Sequence, residues 1–258
     1  MNLNIQNKNA LVCGSTQGIG KATAIALANE GVNITLIARN EEKLKSVLAE
    51  LPNNNQKHQY IVADFSNPKE LKQKIEASEI NFHMLINNTG GPAGGPVFNA
   101  DLDEFERAFT QHLKCNHVLV QALVPFMKQT GFGRIINVIS TSVKQPLDGL
   151  GVSNTIRGAV ANWSKTLANE LGQFNITVNN VLPGATNTDR LNEIISNKAK
   201  KTGLSVEEVS KNMMNASPAK RFAKPAEIAN AIVFLASEKA SFINGINVPV
   251  DGGRTKSL

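Results

Sequence analysis

The stretch Cys13–Ala22, CGSTQGIGKA, governs how the rest of the chain is read. Its glycines, Gly14, Gly18 and Gly20, follow the apolar run NALVCG (9–14) and open the helical pattern GIGKATAIALANEG (18–31). A strand that passes through glycines into a helix lets the backbone approach a phosphate group at the helix's positive end. Gly14 permits the tight exit from the strand, while Gly18 and Gly20 clear the space for that approach. Ser15, Thr16, Gln17 and Ile19 complete the loop. The spacing is Gly-x-x-x-Gly-x-Gly, not the commoner Gly-x-Gly-x-x-Gly.

Further strand-like runs recur along the chain: NITLIA (33–38), HQYIVAD (58–64), FHMLINN (82–88), RIINVIS (134–140), ITVNNVLPG (176–184) and INVPVDGG (246–253). Helical patterns separate them at 40–51, 67–78, 102–129, 152–172 and 224–237. The helix at 67–78 carries its own start signal, Asn67 at the cap and Pro68 just inside. Mostly continuous apolar strands suit a parallel sheet covered on both faces. The alternation predicts an α/β fold: a single Rossmann-type, doubly wound domain over residues 1–258, with a parallel sheet of about seven strands and helices on both faces. Residues 189–216 are helical but irregular and polar, as a substrate lid would be. The loop TGGPAGGPV (89–97) is expected to frame the other side of the pocket.

A chain of 258 residues, 41% hydrophobic and 19% charged, folds and buries a sizeable core. The net charge of +6 reads as a lysine-rich surface or as a site for an anionic ligand. Scattered basic residues and 5% aromatics do not make a nucleic-acid footprint. The two cysteines, Cys13 and Cys115, show neither metal spacing nor a disulfide framework, which fits a reducing cytosol. No metal site is expected. The N-terminal MNLNIQNKNALVCG does not read as a signal peptide, and no apolar run approaches the roughly 20 residues of a membrane helix. A cytoplasmic protein without membrane or nucleic-acid partners is the expectation.

The end of the second strand bears on the ligand. Where a dinucleotide is bound, an acid at this tip holds the ribose hydroxyls of NAD. Here the strand ends LIARN, with Ala38 and then Arg39, and no carboxylate is at hand. Arg39 can pair with a 2′-phosphate, so NADP(H) is favoured over NAD(H).

With GSTQGIG, VADFSN, INNTG and TVNNVLPGATNTD in this order, the whole chain resembles the short-chain dehydrogenase/reductase family. The segment PAKRFAKPAEIANAIVFLASEKASFINGINVPVDGG (218–253) resembles that family's C-terminal third. The likeness runs toward the reductases of 3-oxoacyl-acyl-carrier-protein thioesters. It implies that Asp64 and Phe65 flank the adenine. Asn87, Asn88, Thr89 and Gly90 match the family's Asn-Asn-Ala-Gly beside the cofactor, with threonine for alanine. Pro183, Gly184 and Thr188 match the loop at the nicotinamide end. The resemblance also implies a homotetramer, or a dimer, built partly on the helices at 102–129 and 152–172.

The family's chemistry uses a serine, a tyrosine, a lysine four residues after it, and an asparagine on the preceding long helix. Ser140 matches the serine. The tyrosine and lysine positions fall on Ser153 and Arg157, in GLGVSNTIRGAV (149–160), and the asparagine position on His112. The only tyrosine, Tyr60, lies on the third strand. A serine hydroxyl is a poor general acid, and arginine does not exchange protons at neutral pH. Arg157 can still hold ribose hydroxyls and stabilise a developing oxyanion, with Ser140 and Ser153 bonding the substrate oxygen. The missing element is a proton donor. His112 is one candidate, since imidazole titrates near neutrality; it shares a helical stripe with Phe105, Phe109, Asn116, Leu119 and Leu123. Lys144 and a water polarised by Arg157 are the others, and Asn116 could stand in for the missing asparagine.

Two functions are consistent with these residues. One is an NADP(H)-dependent oxidoreductase, a carbonyl reductase or alcohol dehydrogenase that includes 3-oxoacyl thioesters among its candidate substrates, with a non-standard proton donor. The other is a cofactor-binding protein of the same fold without redox turnover, a sensor or partner subunit. A non-redox elimination or isomerisation on this fold is a third.

Overall fold

The computed structural model describes residues 1–257. Its strands are β1 (Asn9–Cys13), β2 (Asn33–Ala38), β3 (Gln59–Val62), β4 (Met84–Asn87), β5 (Gly133–Val138), β6 (Ile176–Pro183) and β7 (Asn247–Val250). They form one sheet in the order β3-β2-β1-β4-β5-β6-β7, every pair parallel. The chain reverses its direction across the sheet between β1 and β4. In such sheets ligands bind beyond the carboxyl ends of the strands at that switch point.

Alternate residues of each strand face opposite layers. Ala10 and Val12 of β1 pack with α1 (Gly18–Asn29), α2 (Glu41–Glu50) and α9 (Pro225–Leu235) through Leu27, Leu44 and Ile232. Leu11 and Cys13 pack on the other face with α3 (Pro68–Ala77), α5 (Cys115–Thr130) and α6 (Gly151–Leu171) through Leu71, Leu119 and Leu167. Both cysteines are buried and free, as an apolar role requires.

A row of asparagines crosses the sheet at one register. Asn87, Asn137, Asn180 and Asn247 are direct neighbours on β4, β5, β6 and β7. Asn87 Nδ2 donates to Asn137 Oδ1 (2.8 Å), Asn137 Nδ2 to Asn180 Oδ1 (3.0 Å), and Asn180 Nδ2 to Asn247 Oδ1 (2.8 Å). Asn137 Nδ2 also reaches Ser164 Oγ on α6 (2.9 Å). Buried amides that satisfy one another in a chain fix strand register more narrowly than apolar side chains do.

Two expectations need correction. The pattern at 102–129 is not one continuous helix. It comprises α4 (Leu102–Phe109), a π-helical turn at Thr110–Lys114, and α5. The extra residue rotates α5 by about 100° relative to α4. His112 and Asn116 face inward, at 1% and 5% exposure, as their places on the helical stripe require, whereas Phe109 is exposed and not on the buried stripe. Residues 189–216 are not irregular: they form α7 (Asp189–Thr202) and α8 (Val206–Asn215), packed on each other through Leu191, Ile195 and Val209. Among the described residues, no helix is long and apolar enough to cross a membrane.

Candidate active site

At the carboxyl end of β1, Gly14 has φ +58°, and its amide donates to Ile37 O (2.9 Å). A Cβ there would collide with the carbonyl oxygen of Asn88, whose Nδ2 in turn donates to Cys13 O (3.4 Å) and Gly14 O (3.3 Å). Gly18, at φ +54°, would bring a Cβ to 3.0 Å from Thr188 Cγ2. The segments 14–20, 88–90 and 183–188 thus converge, as the sequence motifs required. Gln17 caps α1 without a side-chain hydrogen bond, which leaves the first helical amides open to an anion. Thr16 and Ile19 are half-buried, Gln17 is exposed and Gly20 is buried. Ser15 is turned inward: its Oγ accepts from the Ile37 amide (3.1 Å), so only its backbone is available to a ligand.

Arg39 is exposed just beyond β2, and among the described residues no acid pairs with it. Asp64 and Phe65 follow β3. Asp64 Oδ1 accepts from the Ser66 amide (2.9 Å), and the Phe65 carbonyl from the Cys115 thiol (3.0 Å). On the opposite side, the Gly184 amide next to Pro183 donates to Val250 O (2.9 Å), and Thr188 caps α7 by accepting from the Leu191 amide (3.3 Å). A loop with glycines at its three tight points, an uncapped helix start and an unpaired arginine at the β2 tip fit a dinucleotide carrying a 2′-phosphate.

Beyond β5, the Ser140 Oγ accepts from the Ser142 amide (3.1 Å). Ser153 lies half-buried in the first turn of α6, and Arg157 follows one turn later on the same face. Arg157 is 7% exposed; its Nη1 donates to Val138 O (3.0 Å), two residues before Ser140. Its Nη2 lies under Gly91, 3.9 Å from where a Cβ on that glycine would sit. Burial lowers its pKa to about 10, so the group stays cationic at neutral pH. The loop 89–97 passes over Arg157 at Gly91. The Gly95 amide donates to Gly149 O (2.8 Å) and the Gly151 amide to Gly95 O (3.0 Å), while Arg190 of α7 donates to Gly91 O (3.4 Å) and Pro92 O (3.1 Å). Gly90, within this loop, is exposed.

His112 departs from the role of a titrating acid. Its Nδ1 lies 2.6 Å from Thr89 Oγ1, and its Nε2 is buried without a partner. Burial, and secondarily the charge of Arg157, pull its pKa down to about 2. The imidazole is neutral near pH 7 and does not hold the proton that a donor must supply. Asn116 Oδ1, one turn on, is likewise buried without a partner. Lys144 is half-buried at the end of a short 3-10 turn, and its carbonyl receives the Ser257 hydroxyl (3.5 Å). Tyr60 is far across the sheet on β3, where its hydroxyl donates to Glu41 Oε1 (3.0 Å). Thr89 is the residue that sequence reasoning missed as part of this group. Its signal was present: two departures from one family pattern, Thr89 and His112, touch each other.

Comparison with known proteins gives the family and the fold. A family model described as enoyl-(acyl carrier protein) reductase matches residues 14–255. The chain is 32% identical over 98% of its length to all of the NADPH-dependent reductase BacG of Bacillus subtilis. It is 30% identical over 96% of its length to 98% of the 3-oxoacyl-[acyl-carrier-protein] reductase FabG of Staphylococcus epidermidis. Among solved structures, L-sorbose reductase from Gluconobacter frateurii, complexed with NADPH and L-sorbose, superposes with a TM-score of 0.93 at 31% identity, each chain covered in full.

Proposed function

Because this chain belongs to the short-chain dehydrogenase/reductase family, we propose that it is an NADPH-dependent reductase of a small carbonyl compound, able to run in reverse as an alcohol dehydrogenase. The observation that carries this reading is Arg157, a buried cation that bonds the backbone two residues before Ser140 and lies one helical turn from Ser153. Arg39 and the open loop at Gly14–Gly20 support NADPH, as do relatives named for that cofactor. When bound, the cofactor supplies the hydride. Ser140 and Ser153 hydrogen-bond the substrate oxygen, and Arg157 offsets the negative charge that develops on it. Water at the guanidinium supplies the proton, since His112 is neutral and Tyr60 is remote. The α7–α8 lid and the loop 89–97 frame the substrate, and 3-oxoacyl thioesters are within its scope. A cytosolic homotetramer joined through α5 and α6 completes the reading.

Steady-state NADPH oxidation against ketones, quinones and 3-oxoacyl thioesters tests it. Turnover is expected, with no ionisation near pH 6.5 in the kcat profile. Tight NADPH binding without turnover of any compound would establish the second reading, a cofactor-binding protein without chemistry, which the absence of a side-chain acid favours. A pKa near 6.5 that disappears in His112→Asn would restore histidine as the donor. Light scattering on the purified protein tests the tetramer.

A further inference from the structure

The chain contains two buried arginines, and they differ in what surrounds them. Arg134 is fully buried and saturated by carbonyls: Nε donates to Ser237 O (3.1 Å), and Nη1 to Gly133 O (2.8 Å) and Asn175 O (3.1 Å). Such a group holds the fold together. Arg157 makes one bond, from Nη1 to Val138 O. Its Nη2 opens beneath a glycine, and among the described residues no acid pairs with it. A buried cation without a counter-charge costs free energy, and it persists where a ligand brings the missing charge. Ribose hydroxyls are neutral; they accept hydrogen bonds but do not balance a guanidinium.

We infer that this pocket takes an oxo acid, a substrate whose own carboxylate lies one or two carbons from the reacting carbonyl, with that carboxylate accepting from Arg157 Nη2. The inference rests on the reductase reading of the same pocket and names its substrate class. Glycine at position 91 leaves the approach to Nη2 free of a side chain, and the clasp of Arg190 on Gly91 and Pro92 holds the loop over the bound acid. Ser140 and Ser153 remain on the carbonyl oxygen, next to the carboxylate held at Arg157 Nη2. Arg157 can thus serve both, since a guanidinium has five N–H donors.

The test uses the NADPH-saturated protein and three matched pairs: 2-oxobutanoate, 4-methyl-2-oxopentanoate and acetoacetate, each against its methyl ester. Binding is read as the rise in unfolding temperature with ligand concentration, and reaction as NADPH oxidation. The acids are expected to bind at least about tenfold more tightly than their esters. Arg157→Gln should abolish the preference, and Arg157→Lys should keep part of it. Equal behaviour of acid and ester in every pair, or binding by none of the six, overturns the inference. So does a preference that survives in Arg157→Gln. The wild-type comparison stands even if the variant fails to fold. Acids that bind with preference but leave NADPH unoxidised would sink the reductase reading and leave the carboxylate subsite intact. Esters reduced as well as acids would do the opposite.

Discussion

Replacing Thr89 by valine tests whether two departures from the family pattern function as a pair. Valine keeps the shape and removes the hydroxyl. In the folded protein that hydroxyl is the sole partner of the His112 ring, 2.6 Å from Nδ1, because Nε2 has none. Thr89→Val therefore leaves an imidazole at 1% exposure with no hydrogen bond at all. An unsatisfied buried group of this kind costs about 1–3 kcal/mol. Thr89 is itself half-buried, so the lower part of that range applies, about 1–2 kcal/mol, or about 2–8 °C in Tm for a chain of this size. The stronger form is a cycle with Thr89→Ala and His112→Asn, which restore the family's residues. Each single change should destabilise, and the double variant should recover about 1–2 kcal/mol relative to their sum. Urea unfolding of the four proteins measures this directly. Single effects that add within about 0.5 kcal/mol would show that the two side chains are merely adjacent.

Stability should also depend on pH through the same histidine. Its folded pKa, lowered from 6.5 to about 2 by burial and then by Arg157, means that the unfolded chain binds a proton that the folded chain refuses. Stability is complete above about pH 6.5 and declines as pH falls, by about 1.4 kcal/mol per unit from this group; urea unfolding between about pH 6 and 4 should show a shallower slope in His112→Asn, and equal slopes refute the assignment. Arg39→Asp should move the ratio of NADPH to NADH affinity toward NADH by at least about tenfold, read by titration of cofactor fluorescence; an unchanged ratio removes Arg39 from the 2′-phosphate. Asn137→Ala strips partners from Asn87, Asn180 and Ser164 at once and should cost about 3 kcal/mol or more in denaturant unfolding, whereas a loss below about 1 kcal/mol would mean the asparagine row repairs itself through water.

Periodicity carried much of the architecture. Continuous apolar strands alternating with helical patterns specified a parallel, doubly wound sheet, because only that arrangement covers both faces of such strands. The glycine turn after β1 was equally legible, since Gly14 and Gly18 adopt positive φ where side chains would strike Asn88 or crowd Thr188. The π-helical turn was not legible. An insertion of one residue changes no local propensity, yet Phe109, just before it, leaves the buried stripe and is exposed. The asparagine row was hidden for a related reason: its members stand far apart in sequence and meet only through strand register.

The catalytic end divides along the same line. From the sequence alone come the residue types, a serine, a second serine and an arginine where the family has serine, tyrosine and lysine, together with the absence of a nearby tyrosine. Those are matters of spacing along one chain. Only the tertiary structure decided the state of those groups, because ionisation and hydrogen bonding depend on burial and on neighbours from other elements. Packing of α6 over β6 buries Arg157 as a cation with one carbonyl partner, Val138 O at the end of β5. Burial first, and then the charge of Arg157, renders His112 neutral where it meets Thr89, although titration at its ordinary pKa would have made it the proton donor.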